Sequence, residues 1–454
     1  MKTNLLAIAL IVLSAFVLAA RGFGGTAFTV GACAGFFVLC LIGLSISSIR
    51  EVLLLLGALV LSAIFFSFQG PIEIFIEAVS LAAFFATFIL LLTALKIAAE
   101  RSQSILAVGR YLIRQPASGR YIATALGGHC LGVFLNFGAI SMLAPMIQNA
   151  AKDEHGNIDE ALERRQISAL LRGFAWILLW APTTLTQAVV LTLFTNISYG
   201  KIIALGVATS ILMMIVGFRF DRIEWRNASR HDEISPPFPK TSFWRLSFIC
   251  CCLIVATATL QICFGLSTAL SLMYVAPVVT ILWFSAQKPA GFGLSRQLAT
   301  FWPALTANAP GLARSAMALG LSGFIGRMLA EIVPVEAFTS AFDVTVVPGW
   351  AFLAILPVLI TLGGQIALSP IILVVFVGQI IQTMPDLPAD PTNIVFALSA
   401  GWALSMFASP NATATLLISA TTSLSPTKLT WSWNLKYGTI CYILLVAIFV
   451  LLEV

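Results

Sequence analysis

The chain has 454 residues, 59% of them hydrophobic and only 10% charged, with a net charge of +6 and a mean hydropathy of +0.99. Soluble domains run about 45–50% apolar and about 25% charged, so a water-soluble globular protein, a disordered chain and a fibrous repeat are all excluded. What remains is an all-α polytopic membrane protein, long enough for roughly a dozen spans of ~20 residues. Its basic excess reflects cytoplasmic loops and calls for no nucleic-acid partner.

Four apolar segments, near 4–20, 26–47, 52–68 and 74–95, open the chain. Met1-Lys2 before the run ending Val17-Leu18-Ala19-Ala20 also has the form of a signal peptide. In so apolar a chain an uncleaved first helix over 1–24, a signal anchor, is the favoured reading. Charges then cluster: residues 96–120, 152–165 and 219–245 hold 24 of the 44 charged side chains. The first cluster sets Lys96, Arg101, Arg110, Arg114 and Arg120 against Glu100; the third holds Arg219, Arg222, Arg226, Arg230, Lys240 and Arg245. Both are cytoplasmic by the positive-inside rule. The third, broken by Pro236, Pro237 and Pro239, divides the chain nearly in half and reads as a linker between units 25–218 and 246–454.

Counting back from that linker, 201–218 and 167–195 are two crossings, which return the chain to the inside at 152–165. The 30 residues of 121–150 therefore start and end on one face. They are too many for one span and too few for two, and a re-entrant hairpin of two half-helices fits them. Its tip is Leu135-Asn136-Phe137-Gly138. One long tilted helix would instead put 152–165 outside, and the five acids and three bases there do not decide. In the second half, spans near 246–265 and 267–286 return the chain inside at Lys288 and Arg296, and 313–333 takes it out. The loops 335–347 and 384–392 carry Glu336, Asp343, Asp386 and Asp390 with no Lys or Arg, so both are read as external. The intervening 348–383 is then a second hairpin with its midpoint at Leu362-Gly363-Gly364-Gln365. Crossings at 394–424 and 437–452 complete about eleven spans and two hairpins.

The halves register at an offset of 228 residues. Asn136 falls on Gly364 and Ser141 on Ser369, while GFAWILLWAPT (173–183) falls on GWALSMFASPN (401–411), matching Gly173 with Gly401, Ala175 with Ala403 and Pro182 with Pro410. One hairpin enters from inside and the other from outside, so the repeats are inverted, an architecture of many secondary transporters. The stretches Ala181-Pro182-Thr183-Thr184-Leu185-Thr186-Gln187 and Ser409-Pro410-Asn411-Ala412-Thr413-Ala414-Thr415 interrupt otherwise apolar helices. Proline removes a donor and frees carbonyls that lipid cannot satisfy, so such breaks persist where protein or a water-filled cavity compensates them. A single kink is more often packing; a symmetric pair opposite two polar tips points to a binding site.

These residues resemble the ion transporter superfamily, which includes divalent anion:sodium symporters, citrate and arsenite permeases and the large membrane subunits of TRAP transporters. LNFGAISMLAPM (135–146) is similar to that group's Asn-rich hairpin motif, and SPNATATLLI (409–418) to its Asn-Ala-Thr motifs. The organisation matches over roughly 25–454, the motifs only in these stretches. Of the symporters' Ser-Asn-Thr tip, the first hairpin keeps Asn136 alone, and the second reads Gly363-Gly364-Gln365. The resemblance implies a small anionic solute and sodium coupling.

The expected solute-binding residues are Asn136, Ser141, Thr183, Thr184, Gln187, Gln365, Ser369, Asn411, Thr413 and Thr415. Asn136, Gly138, Gly363, Gly364 and His129 are candidates for the coupling ion, Na⁺ through backbone carbonyls or H⁺ through the one membrane-embedded histidine. A neutral, structural role for His129 is at least as good a reading. Arg314 snorkels from a cytoplasmic helix end, and Arg327 pairs with Glu331 at i+4. Cys33, Cys40, Cys130, Cys250, Cys251, Cys252, Cys263 and Cys441 lie in apolar stretches without a CxxC pair, so neither a metal nor a disulfide is expected.

The expected function is secondary active transport of a small anionic solute, with no cofactor beyond a coupling Na⁺ or H⁺. The partners are that solute and the lipid bilayer, in a bacterial cytoplasmic membrane, and a homodimer is compatible with the chain. The alternatives are the large subunit of a TRAP system and a non-transport component of a cell-envelope assembly. An enzyme is disfavoured: the sequence has no HExxH, GxSxG or nucleotide loop and no paired intramembrane carboxylates.

Overall fold

The computed structural model describes residues 2–116, 119–153, 155–194, 197–225, 237–287, 294–333, 347–384 and 386–453. Lys288, Glu336, Asp343 and the centre of the expected 219–245 linker lie outside the described residues. Among those described, all regular structure is helical, apart from one isolated bridge between Lys152 and Ile158.

Ten helices among the described residues are long and apolar enough to cross a bilayer: Thr3–Phe23, Thr26–Ile46, Ile49–Ser67, Ile72–Ala99, Tyr199–Glu224, Lys240–Phe264, Thr268–Ala286, Phe301–Ile332, Pro391–Thr421 and Leu435–Leu452. The protein is an all-helical polytopic membrane protein. The remaining expected crossing, 167–195, is built from three pieces: Glu160–Ala175, a 3-10 turn Trp176–Leu179, and Leu185–Leu193. Glu160, Glu163, Arg164, Arg165 and Arg172 charge the first piece, so no continuous apolar run exists there. Two further shorter apolar helices are Gly349–Gln365 and Pro370–Thr383.

Two elements exceed what apolar runs suggest. The helix expected at 313–333 runs over Leu294–Ile332, through Pro303 and Pro310; at ~1.5 Å per residue it is roughly 58 Å long, nearly twice a hydrocarbon core. Within the basic stretch 96–120, Gln103–Ile113 forms a short helix that buries Ser104, Ile105, Val108, Gly109 and Ile113. The i, i+3, i+4 recurrence of those positions gives it one inward stripe and leaves Arg110 outside it.

Burial separates centre from periphery. In Pro391–Thr421, 94% of the membrane-length stretch is buried, against 17% in Ile49–Ser67 and Lys240–Phe264. The first helix is part of the packing: Leu6, Leu10 and Leu13 are almost wholly covered.

Polar ties fall into two sets, which the long helices Ile72–Ala99, Tyr199–Glu224, Thr268–Ala286, Phe301–Ile332 and Pro391–Thr421 carry toward their opposite ends. One joins Arg314 to Glu51 (3.3 Å), Gln287 to the carbonyl of Ala98 (2.8 Å), Arg165 to Asp221 (2.8 Å), Gln148 to Ser423 (2.9 Å) and Arg164 to Glu224. The other joins Tyr274 to the carbonyl of Leu18 (2.6 Å), Arg327 to Glu77 (3.5 Å) and to Glu331, Lys201 to Asp390 (3.8 Å) and Asn393 to Glu453 (2.8 Å). Arg314 is thus held by a buried carboxylate rather than merely snorkelling. Asp390 caps Pro391–Ala408 by accepting from the amides of Thr392 and Asn393. Partial burial alone would raise its carboxyl; the Thr392 hydrogen bonds, the Lys201 ammonium and the Asn393 amide together hold it below the ordinary carboxylate range.

Candidate functional site: two tip-and-break assemblies

In the first half, helices Arg120–Leu135 and Phe137–Ala150 pack against each other and meet at a single residue, Asn136, with φ 49° and ψ −131°. That conformation belongs to the first central position of a II′-type turn, where Gly and Asn lead. Asn136 is buried, and its Nδ2 donates to the carbonyl of Thr183 at 3.4 Å. Thr183 Oγ1 donates back to the carbonyl of Val133 at 2.5 Å. The break between Leu179 and Leu185 is therefore stitched to the tip in both directions. Thr184 is fully buried and caps Leu185–Leu193, its hydroxyl accepting from the amide of Gln187 and donating to the carbonyl of Ala181 (2.8 Å). Gln187 spans the break, donating to the carbonyl of Leu178 (2.8 Å) and to Ser399 in the other half (3.2 Å).

In the second half, Gly363, Gly364 and Gln365 form the last turn of Gly349–Gln365 rather than a midpoint loop. The reversal comes later, at Ile366–Ser369, with Ala367 at φ 65°. Pro370 restarts the helix, and the residue before a proline is driven to extended backbone, as Ser369 is at ψ 131°. Asn411 Nδ2 donates to the carbonyls of Gly364 (3.2 Å) and Gln365 (3.1 Å), and Ser409 Oγ to that of Gly364 (2.7 Å). Gln365 is held from both ends, its amide donating to the carbonyl of Ala408 (3.0 Å) and its oxygen accepting from Trp431 Nε1 (3.0 Å). Thr415 Oγ1 crosses the break to the carbonyl of Met406 at 2.9 Å.

Three of these bonds repeat at positions 228 apart. Tip and break are joined through 136 and 183 in one half and 364 and 411 in the other, the asparagine changing sides. The break is bridged from Gln187 to Leu178 and from Thr415 to Met406. The amide of Thr184 reaches the carbonyl of Ala181 just as that of Ala412 reaches Ser409. The assemblies also interlock: Phe137–Ala150 packs on Thr413–Thr421, and Pro370–Thr383 on Leu185–Leu193, with Leu193 against Gly378.

The other expected residues are less engaged. Ser141 bonds back to the carbonyl of Phe137 (3.2 Å), Ser369 makes no side-chain cap, and Thr413 is half-buried at the start of its helix. His129 has both ring nitrogens engaged: Nδ1 with the carbonyl of Gly173 (2.9 Å), Nε2 accepting from Trp180 Nε1 (3.3 Å). Only the neutral Nδ1–H tautomer satisfies both bonds, so the geometry makes His129 a strut and gives no support to a proton-carrying role.

Several residues escaped the sequence reading. Gly138 lies against the side chain of Lys96, where an added Cβ would sit 2.8 Å from the lysine Cε, so the methylene stem of the first basic residue of that cluster packs on the tip. Arg172 is buried with no ion pair among the described residues: Nε donates to Asn434 Oδ1 (2.7 Å), its other nitrogens to Tyr121 OH (3.4 Å) and the carbonyl of Trp433 (3.3 Å), and it stacks on the Tyr437 ring at 4.4 Å. An arginine inside an expected span was the available signal. Finally, Asn136 Oδ1, Thr186 Oγ1 and Gln187 Oε1, all on the first assembly, are buried without a hydrogen-bond partner among the described residues.

Solved proteins with this arrangement of helices exist. The YdaH transporter of Alcanivorax borkumensis, noted for an unusual topology, matches with a TM-score of 0.55 at 13% identity, over 88% of this chain and 98% of its own. MtrF of Neisseria gonorrhoeae, presented as illuminating a class of antimetabolite efflux pumps, matches with a TM-score of 0.54 at 14% identity, over 90% and 96%. The chain has a membrane-transporter fold. No family model matches the sequence, and no curated protein does. At these identities the likeness is one of fold, and neither match carries the narrower superfamily reading.

Proposed function

We propose that the chain is a secondary active transporter of a small anionic solute, working by alternating access coupled to Na⁺ or H⁺ in a bacterial cytoplasmic membrane. In this reading it consists of two inverted repeats of the ion transporter superfamily type, with the two short helix pairs as re-entrant hairpins. The carrying observation is the shared register of tip-to-break hydrogen bonds in the two halves. Each arm of the pairs has 14 to 17 residues, about 21–26 Å of helix, which falls short of a ~30 Å core. The polar ties support opposite entry: the first pair ends at Gln148, tied to Ser423 in one set, and the second starts at Gly349 beside Glu453, which is in the other. Helix starts at Phe137 and Leu185, and at Pro370 and Thr413, present positive dipole ends to an anion. The orphan oxygens of Asn136 and Gln187 are acceptors and suit a cation or a solute N–H.

Uptake by proteoliposomes offered a panel of carboxylates and oxyanions, with and without Na⁺ and a pH gradient, tests the proposal. Saturable uptake of an anion that follows one of the two gradients is the expected result. Uptake indifferent to both would make the protein a facilitator. The hairpin reading is tested separately: in a cysteine-free background, cysteine at Asn157 should label only from the cytoplasm and at Asp386 only from outside. Labelling of position 157 from outside removes the first hairpin and with it the inverted repeat. The MtrF likeness favours export as the direction, which uptake into inverted membrane vesicles measures directly.

A further inference from the structure

A cavity of about 260 Å³ opens between the helix Gln103–Ile113 and the last turn of Phe137–Ala150, lined by Arg110, Ile113, Arg114, Met146, Asn149 and Ala150. Its charged lining has one sign. Arg110 and Arg114 stand one helical turn apart, where like charges repel and an anion between them removes the repulsion. Among the described residues neither arginine is in an ion pair. Asn149 Oδ1 already accepts from Lys152 Nζ at 3.1 Å, so the group Asn149 still offers is its amide N–H. The acids of the facing segment, among the described residues, are engaged elsewhere. Glu163 accepts from Gln148 at 2.6 Å, and Asp153 from the amides of His155 and Asn157 at 2.8 Å. Asp159 accepts from the amides of Ala161 and Leu162 at 3.0 Å, and Glu160 from Lys428 at 3.5 Å. The walls are fixed rather than adventitious, since Gly109 lets the short helix close on Leu143, and Tyr111 packs edge-on against Phe238 at 5.2 Å.

From this lining, whose charged groups are both cationic, we infer that the cavity binds the phosphate group of an anion. Two guanidinium forks and an amide suit the several acceptor oxygens of a phosphate. The volume lies below the ~300–1,000 Å³ of drug-sized pockets, so it takes a headgroup-sized anion. Basic pockets between helices on the cytoplasmic side are where lipid headgroups bind, and a soluble phosphate presents the same chemistry. Either would clamp the short helix, which joins Ile72–Glu100 to the first helix pair, onto that pair's second arm. The inference is independent of the transport reading, because its readout is binding and stability and not uptake.

The test uses the whole protein in nanodiscs of phosphatidylcholine alone, of phosphatidylcholine with phosphatidylglycerol, and of phosphatidylcholine with added pyrophosphate. Wild type should show a higher unfolding midpoint with at least one of the two phosphate probes. Arg110→Gln with Arg114→Gln should bind that probe at least about tenfold more weakly, losing the shift, while unfolding normally in neutral lipid. Asn149→Asp, at an exposed position, should do the same by placing an acid in the cavity, and stands in if the double variant folds poorly. A shift with phosphatidylglycerol only assigns the site to a lipid headgroup; a shift with pyrophosphate in neutral lipid assigns it to a soluble anion. No shift with either probe, or equal shifts in wild type and variants, overturns the proposal.

Discussion

The two tip-and-break assemblies share three bonds in one register but differ in how completely the break is covered. In the first, Thr183, Thr184, Thr186 and Gln187 are all buried, and the chain reverses within one residue. In the second, Asn411 is exposed and the reversal takes the four residues Ile366–Ser369, of which Ile366 is 74% exposed. A shared hydrogen-bond register therefore does not imply a shared environment. The first half covers its whole polar break and leaves acceptor oxygens there without partners among the described residues; the second covers Ser409 and Thr415 as well but exposes Asn411. Under the proposed transport reading, such a difference is what one state of an alternating-access cycle would look like, with the halves exchanging environments in the opposite state.

The largest effects should come where the halves are alike. Gly173 lies against the backbone of Ala125, and an added Cβ on its register mate Gly401 would sit 2.7 Å from Pro357 Cα. Gly173→Val and Gly401→Val should both cost well over the ~1–3 kcal/mol of ordinary overpacking and abolish monodisperse protein on gel filtration. A tolerated variant in only one half would show that the register is not shared at this depth. Next is the tip. Asn136→Gly relieves a left-handed backbone while deleting the side chain, so it should keep the unfolding midpoint yet weaken solute binding about five- to a hundred-fold, the equivalent of ~1–3 kcal/mol. Asn411→Ala, at the exposed position, should cost only a few-fold. Equal losses in a scintillation-proximity binding assay would erase the distinction between the fully covered break and the one that exposes Asn411.

Smaller effects follow from caps and turns. Thr184 caps its exit helix and Ala412 cannot, so Thr184→Ala should lower stability by about 1 kcal/mol while Thr184→Ser stays near neutral. Ala367, the left-handed residue of the open turn, should gain about 1 kcal/mol on change to Gly. An unchanged unfolding midpoint would mean that turn is not populated. The smallest expected effect is the pH dependence at Asp390. Because its carboxyl is held low in the folded chain, its contribution is present above its unfolded value near pH 4 and is lost as pH falls through the folded value. Asp390→Asn, which keeps a capping oxygen, should lose that part of the acid sensitivity in a thermal scan across pH 5 to pH 2.

Much of the skeleton was legible because a bilayer imposes length and polarity on each segment independently. The ten long helices are visible as apolar runs, and Pro182 and Pro410 fall where helices stop. The rest depends on contacts that periodicity does not record. Nothing local to Lys96 says it will lie over Gly138, and nothing in Gln365 says its amide will be claimed by Trp431, 66 residues away. The position of the second turn was recoverable: Pro370 restarts a helix, which places the reversal before it rather than at the Gly363-Gly364 pair. The segment 167–195, read as one crossing from its apolar stretch, is a mixed case, since it is helical but built of three pieces of which the first carries charges.

Arg172 has a consequence for the order in which the chain is made. Among the described residues, its guanidinium meets Tyr121, already synthesised, the ring of Phe220 (5.3 Å) soon after, and Trp433, Asn434 and Tyr437, which leave the ribosome some 260 residues later. Throughout that interval the first half carries a guanidinium in apolar surroundings with most of its partners missing. The first half is thus a provisional structure until the final helix arrives, and truncation before residue 433 should yield a product that membrane quality-control proteases clear rather than a stable half-transporter.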